Sequence, residues 1–140
     1  MNPFSIIENM KNVLKLFIPL MAITLVSCGG KPTYVTSGSS LIAKRTLTST
    51  SIYYSCEKDN RDTTYTFTVK SSHAEALTCE YHVDIGAITM SLADDTGNVM
   101  YADIIVEDMN YTIPFKGAGK YKLKVHTDDF KGTYLFKWSK

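Results

Sequence analysis

From Leu41 onward, apolar and polar residues alternate with a period of two, and turn-forming residues interrupt the alternation about every eight to twelve positions. Successive side chains of a strand point to opposite faces, so this pattern suits half-buried strands and is wrong for a helix, which needs apolar residues three and four apart. In Thr63 to Lys70, Tyr65, Phe67 and Val69 oppose Thr64, Thr66 and Thr68. In Leu77 to Asp84, Leu77, Cys79, Tyr81 and Val83 oppose Thr78, Glu80, His82 and Asp84. Ile88, Met90 and Leu92 lead into Asp94-Asp95-Thr96-Gly97-Asn98 and then Val99 to Val106. Gly97 and Asn98 tolerate positive φ, which predicts a hairpin here.

Further along, Asp108 to Phe115 reads as an edge strand because of Pro114, which has no N–H to give a ladder. Gly119 to Thr127 turns Tyr121, Leu123 and Val125 inward, and Gly132 to Trp138 offers Tyr134, Phe136 and Trp138. Between these last two segments, Asp128 to Gly132 has a turn composition. Leu41 to Thr48 and Ile52 to Glu57 are less regular strands, and Ser71 to Leu77 holds one helical turn at most. The sum is an all-β chain: a single antiparallel β-sandwich of about seven to nine strands over residues 41–140, jelly-roll-like or immunoglobulin-like.

The N-terminal segment has a different logic. Lys11 and Lys15 precede an apolar run from Leu16 to Val26, which ends in Leu25-Val26-Ser27-Cys28. A bilayer-spanning helix needs roughly 20 apolar residues, so the run is an export signal rather than an anchor. Leu25-Val26-Ser27-Cys28 resembles the lipobox of bacterial lipoproteins. The resemblance implies lipidation of the Cys28 thiol and cleavage just before it. Residues 1–27 are then a signal peptide, and translation starting at Met10 would give it a more compact basic head. The alternative is an ordinary secretory peptide whose cysteine joins a disulfide. Cys28 to Ser40 is rich in Gly, Ser and Thr and reads as a flexible tether, with a short strand starting at Tyr34 and Val35 as the second reading.

Two further stretches carry a resemblance. Gly119-Lys120-Tyr121-Lys122-Leu123-Lys124-Val125 and Phe130-Lys131-Gly132-Thr133-Tyr134-Leu135-Phe136-Lys137-Trp138 are similar to the C-terminal hairpin of small bacterial lipoproteins. More distantly, they are similar to prepeptidase-C-like secreted β domains. Such a glycine-aromatic pattern speaks to fold and not to activity.

Charge narrows the partners. Removing residues 1–27 takes two lysines and one glutamate from 15 basic and 14 acidic residues, leaving 13 of each. A neutral chain is a poor nucleic-acid binder. The charges are nonetheless segregated: residues 57–108 hold eleven acids and three bases, whereas residues 116–140 hold seven bases and two acids. The outward row Lys120, Lys122 and Lys124 is expected to face an acidic neighbouring strand, with a basic patch for anionic headgroups or polysaccharide as the rival reading.

Chemistry-bearing motifs are few. If Cys28 is lipidated, Cys56 and Cys79 form an even pair in an oxidising compartment, and a disulfide is set against two buried thiols. Glu80, His82 and Asp84 share one strand face at steps of about 6.7 Å, which reads first as a solvated face and second as a polar site. Asp94 to Asn98 lacks the later ligands of a calcium loop, and His73 and His126 have no metal-ligand spacing. No nucleophile elbow, zinc-protease helix or phosphate loop occurs, so neither catalytic residue, metal nor cofactor is assigned. Most tyrosines and Trp138 lie in the inward register of strands, where core packing is the default; Tyr53 and Tyr54 are adjacent, so at least one points outward, a single candidate where a sugar-stacking platform normally needs several.

These features converge on a cell-envelope protein anchored by lipid to a bacterial membrane, the outer membrane in a diderm, on its periplasmic or surface-facing side. Its expected role is a non-catalytic interaction or accessory module with an envelope protein or polysaccharide partner. A carbohydrate-binding module is the alternative, and a hydrolytic enzyme a distant third.

Overall fold

A computed structural model describes residues 30–140; the signal segment and Cys28 lie outside the described residues. The chain runs β1 (Thr33–Leu41), β2 (Lys44–Thr48), β3 (Ser51–Val69), β4 (Ala76–Asp94), β5 (Val99–Ile105), β6 (Met109–Pro114) and β7 (Gly119–Lys137). All pairings are antiparallel, in the order β1-β3-β7-β4-β5, with β2 also on β3 and β6 also on β4. There is no helix among the described residues.

β3, β4 and β7 are each 19 residues long. Straight strands of that length would reach roughly 60 Å, far beyond a small domain. Instead the three bend together. The β3–β7 register breaks between Cys56 and Arg61, and the β4–β7 register between Val83 and Ala87. At the same level β7 carries Asp129 at φ 44° and Gly132 at φ 147°. Such bulges sharpen strand bending. Gly132 is required there twice over, because a Cβ would sit 2.0 Å from the His82 carbonyl oxygen. The sheet therefore folds over on itself. One half holds the residue 51–56, 76–83 and 132–137 stretches of β3, β4 and β7, with β2 and β6 at its margins. The other holds residues 59–69, 87–94 and 119–130, with β1 and β5 at its margins.

The strand segments expected from the sequence are present with their inward residues buried: Tyr65, Phe67, Leu77, Cys79, Ile88, Leu92, Leu123 and Phe136 are 3% exposed or less. Three pairs of them are fused, however. The expected C-terminal hairpin is a correction of this kind, since Asp128 to Gly132 does not reverse the chain. Phe130 is fully buried, and β7 continues through it with β3 on one side and β4 on the other. A second correction concerns the tether of residues 28–40. Thr33 to Leu41 is a strand, paired from Thr33–Thr66 to Leu41–Lys58. It lacks an apolar alternation because it is an edge strand, mostly exposed, whose role is to satisfy the outer backbone groups of β3.

The folded sheet closes on an aromatic core. The Phe67 ring, in the β1–β5 half, stacks on Trp138 at 4.3 Å, and the Tyr65 and Tyr134 hydroxyls meet at 2.6 Å across the layers. Tyr54 stacks on Tyr134 at 5.1 Å. Where β1 and β2 diverge along β3, the gap is filled by Arg45, whose guanidinium lies 4.2 Å from the Tyr34 ring centre and 4.7 Å from that of Tyr54. Its Nε donates to the Tyr65 hydroxyl at 3.0 Å. All of these partners lie within Lys31–Lys140, which forms a compact unit with its own core.

Cys56 and Cys79 are both free and buried, which corrects the expected disulfide. Cys56 is opposite Gly132 and Cys79 opposite Phe136, on the two flanks of β7. Four residues along β7 and two strand spacings across it separate them by about 16 Å, well past the roughly 7 Å Cα limit for a bridge. The sequence register correctly placed both thiols inward, but an inward register does not bring two residues together.

Candidate functional site

The outward face of the β2–β6 half carries a row made by four successive strands: Tyr53 on β3, Leu135 on β7, Glu80 on β4 and Asn110 on β6. The adjoining row is Ser55, Thr133 and His82. Between them and Asp108 lies an open groove of about 480 Å³. Tyr53 is the outward member of the tyrosine pair, and Tyr54 is 2% exposed in the core. Tyr53 and Glu80 stand two strand spacings apart, about 9.6 Å. The groove has a half-exposed aromatic ring at one side and planar polar side chains at the other, with no lysine or arginine in its lining.

His82 is held from both sides. Its Nδ1 is 3.0 Å from Asp108 Oδ2, and its Nε2 is 3.0 Å from Asp84 Oδ1. Asp108 Oδ1 also accepts the Val83 backbone N–H at 2.8 Å. The hydrogen bond to Asp108, then the charges of Asp108 and Asp84, hold the imidazole above its ordinary range. Asp108 is in turn held below the usual carboxylate range, first by the Val83 N–H and then by His82. Of the strand-face trio read from the sequence, His82 and Asp84 therefore form an ion pair, while Glu80 lines the groove one row away. Asp108 and Asn110 are the members that sequence reading missed. Their signal is long-range, since only the pairing of β6 with β4 brings them beside His82 and Glu80.

The other candidates resolve differently. Among the described residues no group of three or more His, Cys, Asp or Glu side chains is placed to hold a metal ion. Asp94 Oδ1 accepts the Thr96 and Asn98 backbone N–H groups and the Thr96 hydroxyl, so it serves the hairpin turn, while Oδ2 pairs with Lys116 at 3.4 Å. His73 Nδ1 accepts the Lys70 N–H at 3.0 Å, and His126 pairs with Asp62 at 2.7 Å. Lys120, Lys122 and Lys124 do not face acids, which corrects that expectation. Their neighbours are Thr68, Thr66 and Thr64 on β3, with Ala93 and Ser91 beside Lys122 and Lys124 on β4. β7 sits between the two stretches of β3 and β4 that are richest in threonine and serine, and the acid within these rows, Asp62, pairs with His126 rather than with a lysine.

No protein-family model matches the chain, and no curated protein matches it in sequence. Among solved structures, the chain is similar to TmCBM61 in complex with beta-1,4-galactotriose, with a TM-score of 0.43 and 12% identity over 79% of this chain and 88% of that one. It is similar to a family 29 carbohydrate-binding module with a TM-score of 0.38 and 9% identity over 76% and 86% of the two chains. It is also similar to PirA, with a TM-score of 0.36 and 8% identity over 76% and 92%. Likenesses of this size carry no argument about ligand or activity.

Proposed function

We propose that this protein is a non-catalytic glycan-binding module of the bacterial cell envelope, anchored by lipid on Cys28. The observation that carries the glycan reading is the groove across Tyr53, Leu135, Glu80 and Asn110. A sugar ring presents an apolar C–H face and a rim of hydroxyls. Tyr53 offers the first an aromatic plane, while Glu80, Asn110 and Asp108 offer the second carboxylate acceptors and a donor amide. An open groove suits a chain passing through better than a small molecule to be enclosed. With carboxylates on either side of His82 and no lysine or arginine in its lining, the groove favours a neutral glycan over an anionic one. The anchoring reading stands on Leu25-Val26-Ser27-Cys28 and the apolar run before it. In this reading the tethered accessory role drawn from the sequence acquires a partner class, and that class is polysaccharide.

Isothermal calorimetry of Lys31–Lys140 against neutral gluco-, galacto-, xylo- and manno-oligosaccharides tests the proposal. Calorimetry suits it better than tryptophan emission, because Trp138 is fully buried against Phe67. At least one series binds, and Tyr53→Ala weakens that binding about tenfold with an unchanged circular-dichroism spectrum. Silence across the panel, or indifference to Tyr53→Ala, sinks the glycan reading. Fatty-acid labelling of the full chain, lost in Cys28→Ser, tests the anchor separately.

A further inference from the structure

The opposite face of the folded sheet, on the β1–β5 half, has a different chemistry. Lys120, Lys122 and Lys124 run along its central strand at steps of about 6.7 Å. None of the three has an ion-pair partner among the described residues. Each is flanked on β3 by a threonine. The rows end in exposed apolar side chains at the margins. Val35 ends the Lys124 row on β1, Val99 ends the Lys122 row on β5, and Ile104 closes the His126 row; they are 78%, 63% and 64% exposed. The carboxylate within these rows, Asp62, is engaged by His126, and Asp128 lies beyond them at the bend. Between Thr64, Ser91, Lys124 and the His126–Asp62 pair a shallow groove of about 380 Å³ has room for a phosphate headgroup on its Lys124 side.

We infer that this face docks on the anionic phospholipid surface of the membrane that holds the protein. Unpaired lysines flanked by protruding valine and isoleucine match the two components of an interface, headgroup charge and the apolar boundary beneath it. Chain length points the same way. β1 is an edge of this face and begins at Thr33, so four residues separate it from Cys28. Even fully extended, that connection spans about 17 Å. The inference rests on the proposed anchor for its geometry. It leaves the Tyr53 groove on the outer side of the sandwich, turned away from the bilayer.

The test uses the mature lipoprotein reconstituted in vesicles of phosphatidylglycerol and phosphatidylethanolamine. A fluorescent label is placed at Thr89→Cys on the lysine face or at Thr112→Cys on the groove face, and its exposure to an aqueous quencher is read. Cys56 and Cys79 are buried and do not compete for label. Three lysines near an anionic surface favour the docked state by roughly 100-fold. The Thr89→Cys label is therefore shielded and the Thr112→Cys label is not. The shielding disappears in Lys120→Gln/Lys122→Gln/Lys124→Gln, in phosphatidylcholine vesicles and at high salt. Equal exposure of the two labels, or the same shielding on phosphatidylcholine, overturns the docking while leaving the anchor intact. Shielding produced only by a soluble polyuronate, with the same lysine dependence, overturns it in favour of an anionic polysaccharide. A protein that does not float with vesicles at all removes the anchor and the docking together.

Discussion

Asp59 shows how much a single position contributes to the bend. It is 1% exposed, and its carboxylate accepts hydrogen bonds from the Tyr54 hydroxyl at 2.8 Å and the Thr127 hydroxyl at 2.6 Å, with Arg61 Nε at 3.6 Å. It thus ties both arms of β3 to β7 where the register breaks. Removing it leaves the buried Tyr54 hydroxyl without its acceptor and takes the neighbouring carboxylate from Arg61, whose other guanidinium nitrogens stay bonded to Thr36 and Ser40, so Asp59→Ala is expected to cost about 2 kcal/mol in chemical denaturation. Asp59→Asn keeps an acceptor and should cost visibly less; equal losses would mean that the site is held by packing alone. Nothing in the sequence marks Asp59, because an acid between Lys58 and Asn60 reads as surface. Arg45 is illegible for the same reason. Its guanidinium enters the aromatic gap only because β1 and β2 part from each other along β3.

At the scale of elements, the alternation made each strand's inward set readable, and the β4–β5 hairpin at Gly97-Asn98 followed from turn chemistry alone. The fusion of strand pairs was not readable. A bulge and a turn use the same residues, as Asp128 to Gly132 shows, and only partners some 50 to 86 positions away decide between them. Half of the groove was visible as Tyr53, Glu80 and His82, and the half contributed by β6 was hidden by that same long-range pairing. The connection from β5 to β6 is pinned to β4 by Asp108, and the pin titrates. The folded pKa of His82 is raised above its ordinary 6.5. Its contribution is therefore complete below pH 6.5 and is lost as pH rises through the folded value. Asp108 is lowered from 3.8, so its part is present above that value and is lost as pH falls through the lower one. Protection factors at residues 106–108, taken against the base-catalysed intrinsic exchange rate, should fall on the alkaline side of the His82 midpoint, which NMR titration should place above 6.5. Protection that is constant across that midpoint would show that the Val83–Asp108 hydrogen bond holds the connection unaided.

Across the described residues, stability comes from the aromatic core, and Cys56 and Cys79 form no covalent staple. Burial pushes both the Cys56 and Cys79 thiols up to about 12, so neither is a thiolate at neutral pH. In Lys31–Lys140, a thiol reagent should find no reactive cysteine in buffer and two in denaturant, and reductant should leave the unfolding midpoint where it is. A midpoint that drops with reductant would restore the disulfide. The strand order has a consequence for how such a domain is made. β7 lies at the centre of the sheet, with β3 and β4 on its two flanks, and it is the seventh strand to be synthesised. Until it emerges, β3 and β4 have no shared partner, and the closing contacts are among the most distant in the chain. A ribosome-bound or partly translocated chain therefore lacks the keystone of its own sheet. On the proposed export route it would stay threadable through a channel until β7 has passed, and would lock only beyond it.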